Sequence, residues 1–282
     1  LEKIKSKGIP LEQYVEGKIF RGVLTGYNEA FVIDEATKEK LINEDPNSAE
    51  IIKPFLAGRD IKRYASLETD KFLILFKKGW TKSNGGNDRN AWRIFSDNYP
   101  AIAEYLKQYE EQCAKRYDKG DYWWELRTCD YYDEFEKDKI IIPAISNRAN
   151  NTLDKTCCYS NDKTTIVVHG DSKYLLGIMN SKLSDFYIQS IASTKQGGYF
   201  EYKPMYVSSI PVVENGEVIH DKIVQLVDSI LDSQNRFISA KSDSDRKVLQ
   251  QKIDAVDSQI DRLVYELYGL TEDEIRIVEG GN

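Results

Sequence analysis

The clearest chemistry in this sequence is a run of cations between Lys53 and Arg93. Arg59, Lys62, Arg63, Lys77, Lys78, Lys82 and Arg89 lie in it, with Tyr64, Trp80 and Trp92 among them. Phosphates need cations to replace their counterions, and base edges need Arg, Lys, Asn or Gln within reach. Lys77-Lys78-Gly79-Trp80-Thr81-Lys82-Ser83-Asn84-Gly85-Gly86-Asn87 reads as an exposed, flexible loop rich in hydrogen-bond donors. Ser193-Thr194-Lys195-Gln196-Gly197-Gly198-Tyr199-Phe200 is a second polar, glycine-hinged segment that could carry Lys195 or Gln196 into a groove. A third is Thr25-Gly26-Tyr27-Asn28. The bland alternatives are a solvated basic face with Trp80 and Trp92 in the core, and ordinary turns at 25–28 and 193–200. Residue types alone leave both readings open.

Catalytic patterns are missing. There is no G-x-G-x-x-G, no phosphate-binding G-x-x-x-x-G-K-[ST], no G-x-S-x-G and no H-E-x-x-H. His169 and His220 lie far apart in the chain, which leaves Ser/His or Cys/His catalysis little to work with. The best catalytic candidate is Asp60-Ile61-Lys62 behind Asp45, since metal-dependent nucleases hold Mg²⁺ with spaced carboxylates and steady the attacking water with a lysine. That pattern is short and common by chance. The acidic cluster Asp130, Asp133, Glu134, Glu136 and Asp138 reads as a solvated face, so no metal site is expected. Cys113, Cys129, Cys157 and Cys158 make no C-x-x-C pair and read as reduced intracellular thiols.

These groups need elements to position them. Gly17 to Asp34 reads as a hairpin turning at Thr25–Asn28. Lys139–Pro143 and Thr164–Val168 are strong strand signals, and Ser172–Ile191 is a helix or helix pair. After Pro211 the texture becomes helical. His220 to Ile238 carries an apolar stripe, and Ser239–Ser244 is a polar link. Leu249, Ile253, Val256, Ile260, Leu263 and Leu267 then form a heptad seam. The expected class is α+β, with a mixed β-sheet body over residues 1–213 and an antiparallel helical hairpin or coiled-coil tail over 214–282.

The whole chain has 282 residues and a formal charge of −7, which argues against a nucleic-acid binder when taken at face value. Counted by segment, residues 53–93 carry +6, 94–140 carry −5 and 214–282 carry −7. Acidity in the tail and the aromatic-rich middle hides a basic stretch in the body. No apolar run approaches the ~18 residues of a membrane helix, so no membrane partner is expected. The chain starts at Leu1 rather than Met and shows no signal peptide, as expected of a piece of a longer cytoplasmic polypeptide.

Five ordered motifs resemble the TaqI-like C-terminal specificity domain, the target-recognition part of adenine-specific DNA methyltransferases and single-chain type IIG restriction-modification enzymes. They are Arg21-Gly22-Val23-Leu24-Thr25-Gly26-Tyr27-Asn28 running on to Asp34, Ile52-Lys53-Pro54-Phe55-Leu56-Ala57-Gly58-Arg59-Asp60-Ile61-Lys62-Arg63-Tyr64, Tyr174 to Lys182, Gly198 to Pro211, and Ile260 to Ile275. The resemblance implies a non-catalytic body that reads a short duplex DNA sequence, with the helices as spacer and docking element. It places the methyltransferase domain, with its S-adenosylmethionine site, before Leu1, so that any cofactor, S-adenosylmethionine or Mg²⁺, belongs to the parent enzyme and none to this chain. Arg59, Lys62 and Arg63 are then the first expected DNA contacts, followed by Lys77, Lys78, Lys82, Arg89, Lys195 and Gln196. Tyr27, Asn28, Trp80 and Tyr199 are the side chains to stack or wedge at an extruded base. Two other readings stand beside this one: a Mg²⁺-dependent nuclease using Asp45, Asp60 and Lys62, and a protein-interaction module acting through the helical tail.

Overall fold

The computed structural model describes residues 1–214 and 217–280. Asn215, Gly216, Gly281 and Asn282 of the expected helical region fall outside the described residues. At the centre is an antiparallel sheet in the order Ile19–Arg21, Thr164–Val167, Lys139–Pro143, Thr152–Asp154. Its middle strand Lys139-Ile140-Ile141-Ile142-Pro143 is apolar without alternation, the signature of a strand buried on both faces. Ile140, Ile142 and Val167 face one core, while Ile141 and Ile166 face another. Successive side chains point to opposite faces of a strand, so this one run separates the two cores. Lys139 heads the strand fully buried, with its Nζ 2.5 Å from Asp154 Oδ2.

A second sheet builds the first core, in the order Val32–Asp34, Lys71–Ile74, Ile52–Leu56, Tyr159–Ser160. The last pair runs parallel. Helices Glu35–Glu44, Ala91–Asn98 and Pro100–Lys107 add Leu41, Phe95, Ile102 and Leu106 to it. The hairpin expected over Gly17–Asp34 does not form. Ile19–Arg21 pairs with Thr164–Val167, whereas Val32–Asp34 pairs with Lys71–Ile74 in the other sheet. Between them Asn28–Phe31 is a helical turn that buries Ala30 and Phe31. Core burial of Phe31 overrides the local turn chemistry that suggested a hairpin.

The second core joins body and tail. Ser172–Asn180 and Lys182–Ile191 are separate helices, broken at Ser181, which caps the second by accepting from Ser184 N–H. Glu217–Ser239 and Asp243–Tyr268 form the expected hairpin. Its residues Ile223, Val227, Ile253 and Ile260 share a core with Leu175, Ile178 and Ile140. Gly177 permits the close approach, because a Cβ there would lie 2.5 Å from Ile223 Cγ2 and 3.2 Å from Val227 Cγ2. Gly177→Val is therefore expected to lose about 1–3 kcal/mol through overpacking, read from the urea midpoint at unchanged slope. Gly177→Ala should lose less, since it regains up to ~1 kcal/mol of helix propensity.

The heptad seam holds through Leu249, Ile253, Val256 and Ile260, then drifts to Val264 and Tyr268, while Leu263 and Leu267 are only partly buried. An α-helix of 3.6 residues per turn rotates away from a strict heptad, and here the last turns face the body as well as the partner helix. Asp261 sits on that drifting face, 4% exposed, accepting the Lys182 N–H at 2.8 Å. Burial pushes its carboxyl up to about 6. A carboxyl that binds its proton more tightly when folded adds stability while protonated. That contribution is lost as pH rises from about 4 through 6. Asp261→Asn keeps an acceptor without the charge, so it is expected to be more stable than the parent by roughly 2 kcal/mol at pH 7.5, with the gap closing near pH 4 in pH-resolved melts.

Two polar ties also cross between body and tail. Arg63 donates to both oxygens of Asp257 at 2.6 and 2.8 Å and to the Ala149 carbonyl at 3.0 Å. His220 Nε2 lies 3.0 Å from both oxygens of Asp171, whose N–H donates to His169 Nδ1 at 3.1 Å. The two histidines, far apart in sequence, thus meet at one residue, His220 at its carboxylate and His169 at its backbone N–H. No described helix is long and apolar enough to cross a membrane.

Candidate nucleic-acid interface

The basic stretch folds onto the acidic middle of the chain, and four of its ten cations are paired there. Lys53 lies 3.4 Å from Glu136, and Lys77 2.6 Å from Asp133. Lys78 and Lys82 share Asp121 at 3.7 and 2.8 Å. Hydrogen bonding to Lys82 and the nearby positive charges hold the Asp121 carboxyl below its ordinary range, and Lys77 does the same for Asp133. Lys77 and Lys78 line a groove of about 430 Å³ together with Asp121, Asp130 and Asp133. The cluster read as a solvated acidic face is in part the counter-charge of the basic run.

The segment Lys77–Asn87 is more ordered than a flexible loop. Trp80–Ser83 is a helical turn held by Glu125, whose fully buried carboxylate accepts the N–H groups of Gly79, Thr81 and Asp121 at 2.9–3.1 Å. Trp124 Nε1 donates to Thr81 Oγ1 at 3.0 Å. Trp80 is half-buried, edge-on to Phe76 at 5.2 Å and tilted against Tyr99 at 5.4 Å. A wedge role would require it to leave that packing. Trp92 stacks on Trp123 at 5.4 Å. Arg89 is exposed and makes no ion pair among the described residues.

Around Gly58 the picture differs. Arg59 has its side chain 87% exposed, and its ionic neighbour is Asp60 at 3.8 Å. Asp60 is engaged elsewhere, since it accepts the Ala57 N–H at 2.8 Å and so fixes the turn that presents Arg59. Lys62 and Arg148 are exposed without an ion-pair partner among the described residues. Both line, with Arg59 and Arg63, a cleft of about 990 Å³ between the body and the helical hairpin. Arg63 is the exception among the expected contacts. Its guanidinium is nearly buried and committed to Asp257, so its geometry is that of a brace between body and tail. The next residue, Tyr64, is fully buried with φ +56°, backbone that a non-glycine residue seldom adopts, and its hydroxyl has no hydrogen-bond partner among the described residues.

A neighbouring groove of about 520 Å³ brings Arg59 together with Asn28, Lys71, Ile145, Asn161 and Lys163. Its far side leads to the 193–200 segment. Thr194–Lys195 and Tyr199–Glu201 pair as a hairpin that continues onto Ile145–Ser146. Its tip Gln196-Gly197-Gly198 is exposed, and both glycines take the left-handed backbone that the tight tip requires. Glu201, 5% exposed, binds Lys195 and Lys203 at 2.8 Å each, which steadies the hairpin base. Tyr199 remains 43% exposed. Tyr27 is half-buried edge-on to Tyr109, and Asn28 is exposed with its Oδ1 accepting from Thr25 Oγ1 at 2.5 Å. The structure thus brings Arg59 and Lys62 to one groove and Arg59 and Asn28 to another, and sets Lys77, Lys78 and Lys82 apart among carboxylates. Arg148 and Lys163, which complete the grooves, stood isolated in a weakly charged part of the sequence.

The nuclease alternative finds no assembled centre. Asp45 is buried and serves its own turn, accepting from Asn47 N–H and Ser48 Oγ, while Asp60 caps a different one. Among the described residues no three His, Cys, Asp or Glu side chains are grouped to hold a metal ion.

An exposed cationic rim on a mixed sheet body, with a rigid hairpin beside it and a helical hairpin behind, defines a recognition module. The chain belongs to the TaqI-like C-terminal specificity domain family, whose model matches residues 53–212. It is 23% identical over 268 residues to the Type II methyltransferase M.BstVI of Geobacillus stearothermophilus, covering 93% of this chain and 41% of that protein. Its fold is similar to the Type IIL restriction-modification enzyme MmeI solved in complex with DNA, with TM-score 0.59 and 14% identity over 93% of this chain and 34% of that one. A weaker likeness, TM-score 0.45 at 15% identity, is to the type IIG restriction endonuclease BpuSI. The chain spans well under half the length of these proteins.

Proposed function

We propose that this chain reads a short sequence in double-stranded DNA as the specificity domain of a restriction-modification enzyme. The parent is an N6-adenine DNA methyltransferase, with or without cleavage activity, acting in the cytoplasm. Its S-adenosylmethionine site lies in the methyltransferase domain that this chain partners. Residues 1–213 form the recognition body, and the helices of 214–282 space and dock it. The observation that carries the reading is the presentation of Arg59 and Lys62, exposed and free of distant carboxylates, by a segment inside the family match.

The chemistry divides by position. Arg59 and Lys62 engage phosphates and fix the register of the domain on the duplex. The hairpin tip carries Gln196, a donor suited to base edges; beside it stand Lys195, which would have to exchange Glu201 for the duplex, and Tyr199, whose exposed ring can stack where a base leaves the helix. Lys77, Lys78, Lys82 and Arg89 form an outer cationic patch, weakened by its own acidic partners. Arg63 supports the site by holding the tail against the segment that bears Arg59. Selection of bound duplexes from a randomised library by this chain, followed by sequencing, tests the proposal. A short recurring motif is expected. An unenriched pool, with binding no tighter than to bulk duplex, would overturn it.

A further inference from the structure

Gly22 and Gly58 come from separate motifs, yet both press against one turn, Asn161-Asp162-Lys163. A Cβ on Gly22 would lie 1.9 Å from the Asn161 carbonyl oxygen, and one on Gly58 2.6 Å from that of Lys163. Three strands of backbone hold the turn in place. Val23 N–H donates to the Ser160 carbonyl at 2.6 Å, Asn161 N–H to that of Leu56 at 2.9 Å, and Ala144 N–H to that of Lys163 at 2.9 Å. On its surface Arg21 donates to the Asp162 carboxylate at 2.8 Å and to the Asp162 carbonyl at 3.2 Å. Lys163 Nζ lies 3.2 Å from the same carboxylate. Asp162 is largely covered, whereas Arg21 and Lys163 stay mostly exposed. Arg59 and Gly58 line the same groove as Lys163, and Arg21 lines another together with Gly22 and Val23.

We propose that Arg21 and Lys163, held by Asp162 on this turn, form a phosphate clamp for one strand of duplex DNA, continuous with Arg59. The inference rests on the reading of the chain as a DNA-recognition domain and adds a binding site to it. The acidic groups nearby do not cancel the cations. Asp60 is engaged with Ala57 N–H, and Asp162 is one carboxylate beneath two cations. Arg21 keeps Nη1 free of hydrogen bonds among the described residues, leaving an edge for a phosphate oxygen. Because three chain segments fix the turn, little loop freedom remains to be lost on binding. Contacts of this kind set register rather than sequence preference.

The test is fluorescence anisotropy of the chain with duplex DNA across a salt series, with circular dichroism melts confirming that each variant folds. Arg21→Ala and Lys163→Ala are each expected to weaken binding about three- to tenfold and to reduce the salt slope by about 0.9, with the ranking among duplex sequences unchanged. Asp162→Ala removes a negative charge, so charge attraction alone would tighten binding. The clamp requires that it weaken binding several-fold instead, and tighter binding would overturn the positioning role of Asp162. Unchanged affinity and slope in both cation variants, beside a loss in Arg59→Ala, would overturn the clamp and leave the recognition reading intact. A wild-type chain with no salt-dependent binding to any duplex would overturn that reading, and the clamp with it.

Discussion

Alanine at Arg59, Lys62 and Arg148 together is expected to weaken duplex binding by roughly 10- to 100-fold near 0.1 M salt and to take about 2.7 from the salt slope, since each lost phosphate contact removes about 0.9. These three side chains are exposed on the 990 Å³ cleft and have no ion-pair partner among the described residues beyond the Asp60 adjacent to Arg59. Their removal should therefore leave the fold intact, with a melting temperature close to that of the parent. The control is the outer patch. Alanine at Lys77, Lys78 and Lys82 removes as many cations, but each already faces Asp121 or Asp133. Its effect on the slope is expected to be less than half as large. Equal losses from the two triple variants would mean that binding follows net charge alone.

The largest stability effect is expected at the pair of Lys139 and Asp154. Both side chains are fully buried, and Lys139 Nζ also donates to the Phe135 carbonyl at 2.6 Å. Asp154 further accepts from Thr156 N–H, Thr156 Oγ1 and Cys158 N–H at 2.7–2.9 Å. Asp154→Ala would strand an ammonium group in the protein interior, at a cost of about 3–5 kcal/mol. That is a large share of the ~5–15 kcal/mol that holds a typical domain together. Guanidinium or urea unfolding should show it as a lower midpoint. Lys139→Met with Asp154→Leu removes both charges and should recover much of the loss, as uncharged isosteres of buried pairs often do. A single variant within about 0.5 kcal/mol of the parent would refute this account.

The outcome at individual residues shows where sequence reasoning reached and where it stopped. Ile140-Ile141-Ile142 was legible as a strand because its pattern is local and unambiguous. So was the helical hairpin, whose apolar stripe repeats over more than 40 residues. The 19–34 hairpin was not, because turn chemistry at Thr25–Asn28 says nothing of which strand each flank will meet. Arg63 shows the same limit for charge. Its sequence neighbours match those of Arg59 and Lys62, yet its guanidinium points to Asp257, 194 residues away. Trp80 likewise carries no local mark of the Phe76 and Tyr99 rings against which it packs.

What the sequence determined by itself was the family and the α+β class, since motif order and hydrophobic period travel along the chain. What only the tertiary structure decided was which cations are available. The +6 and −5 segments fold against each other and pair four of the cations, while Arg59 meets Arg148 in one groove and Lys163 in another from distant positions. Coulomb attraction depends on distance in space and on exposure to water. Neither is written in the order of residues.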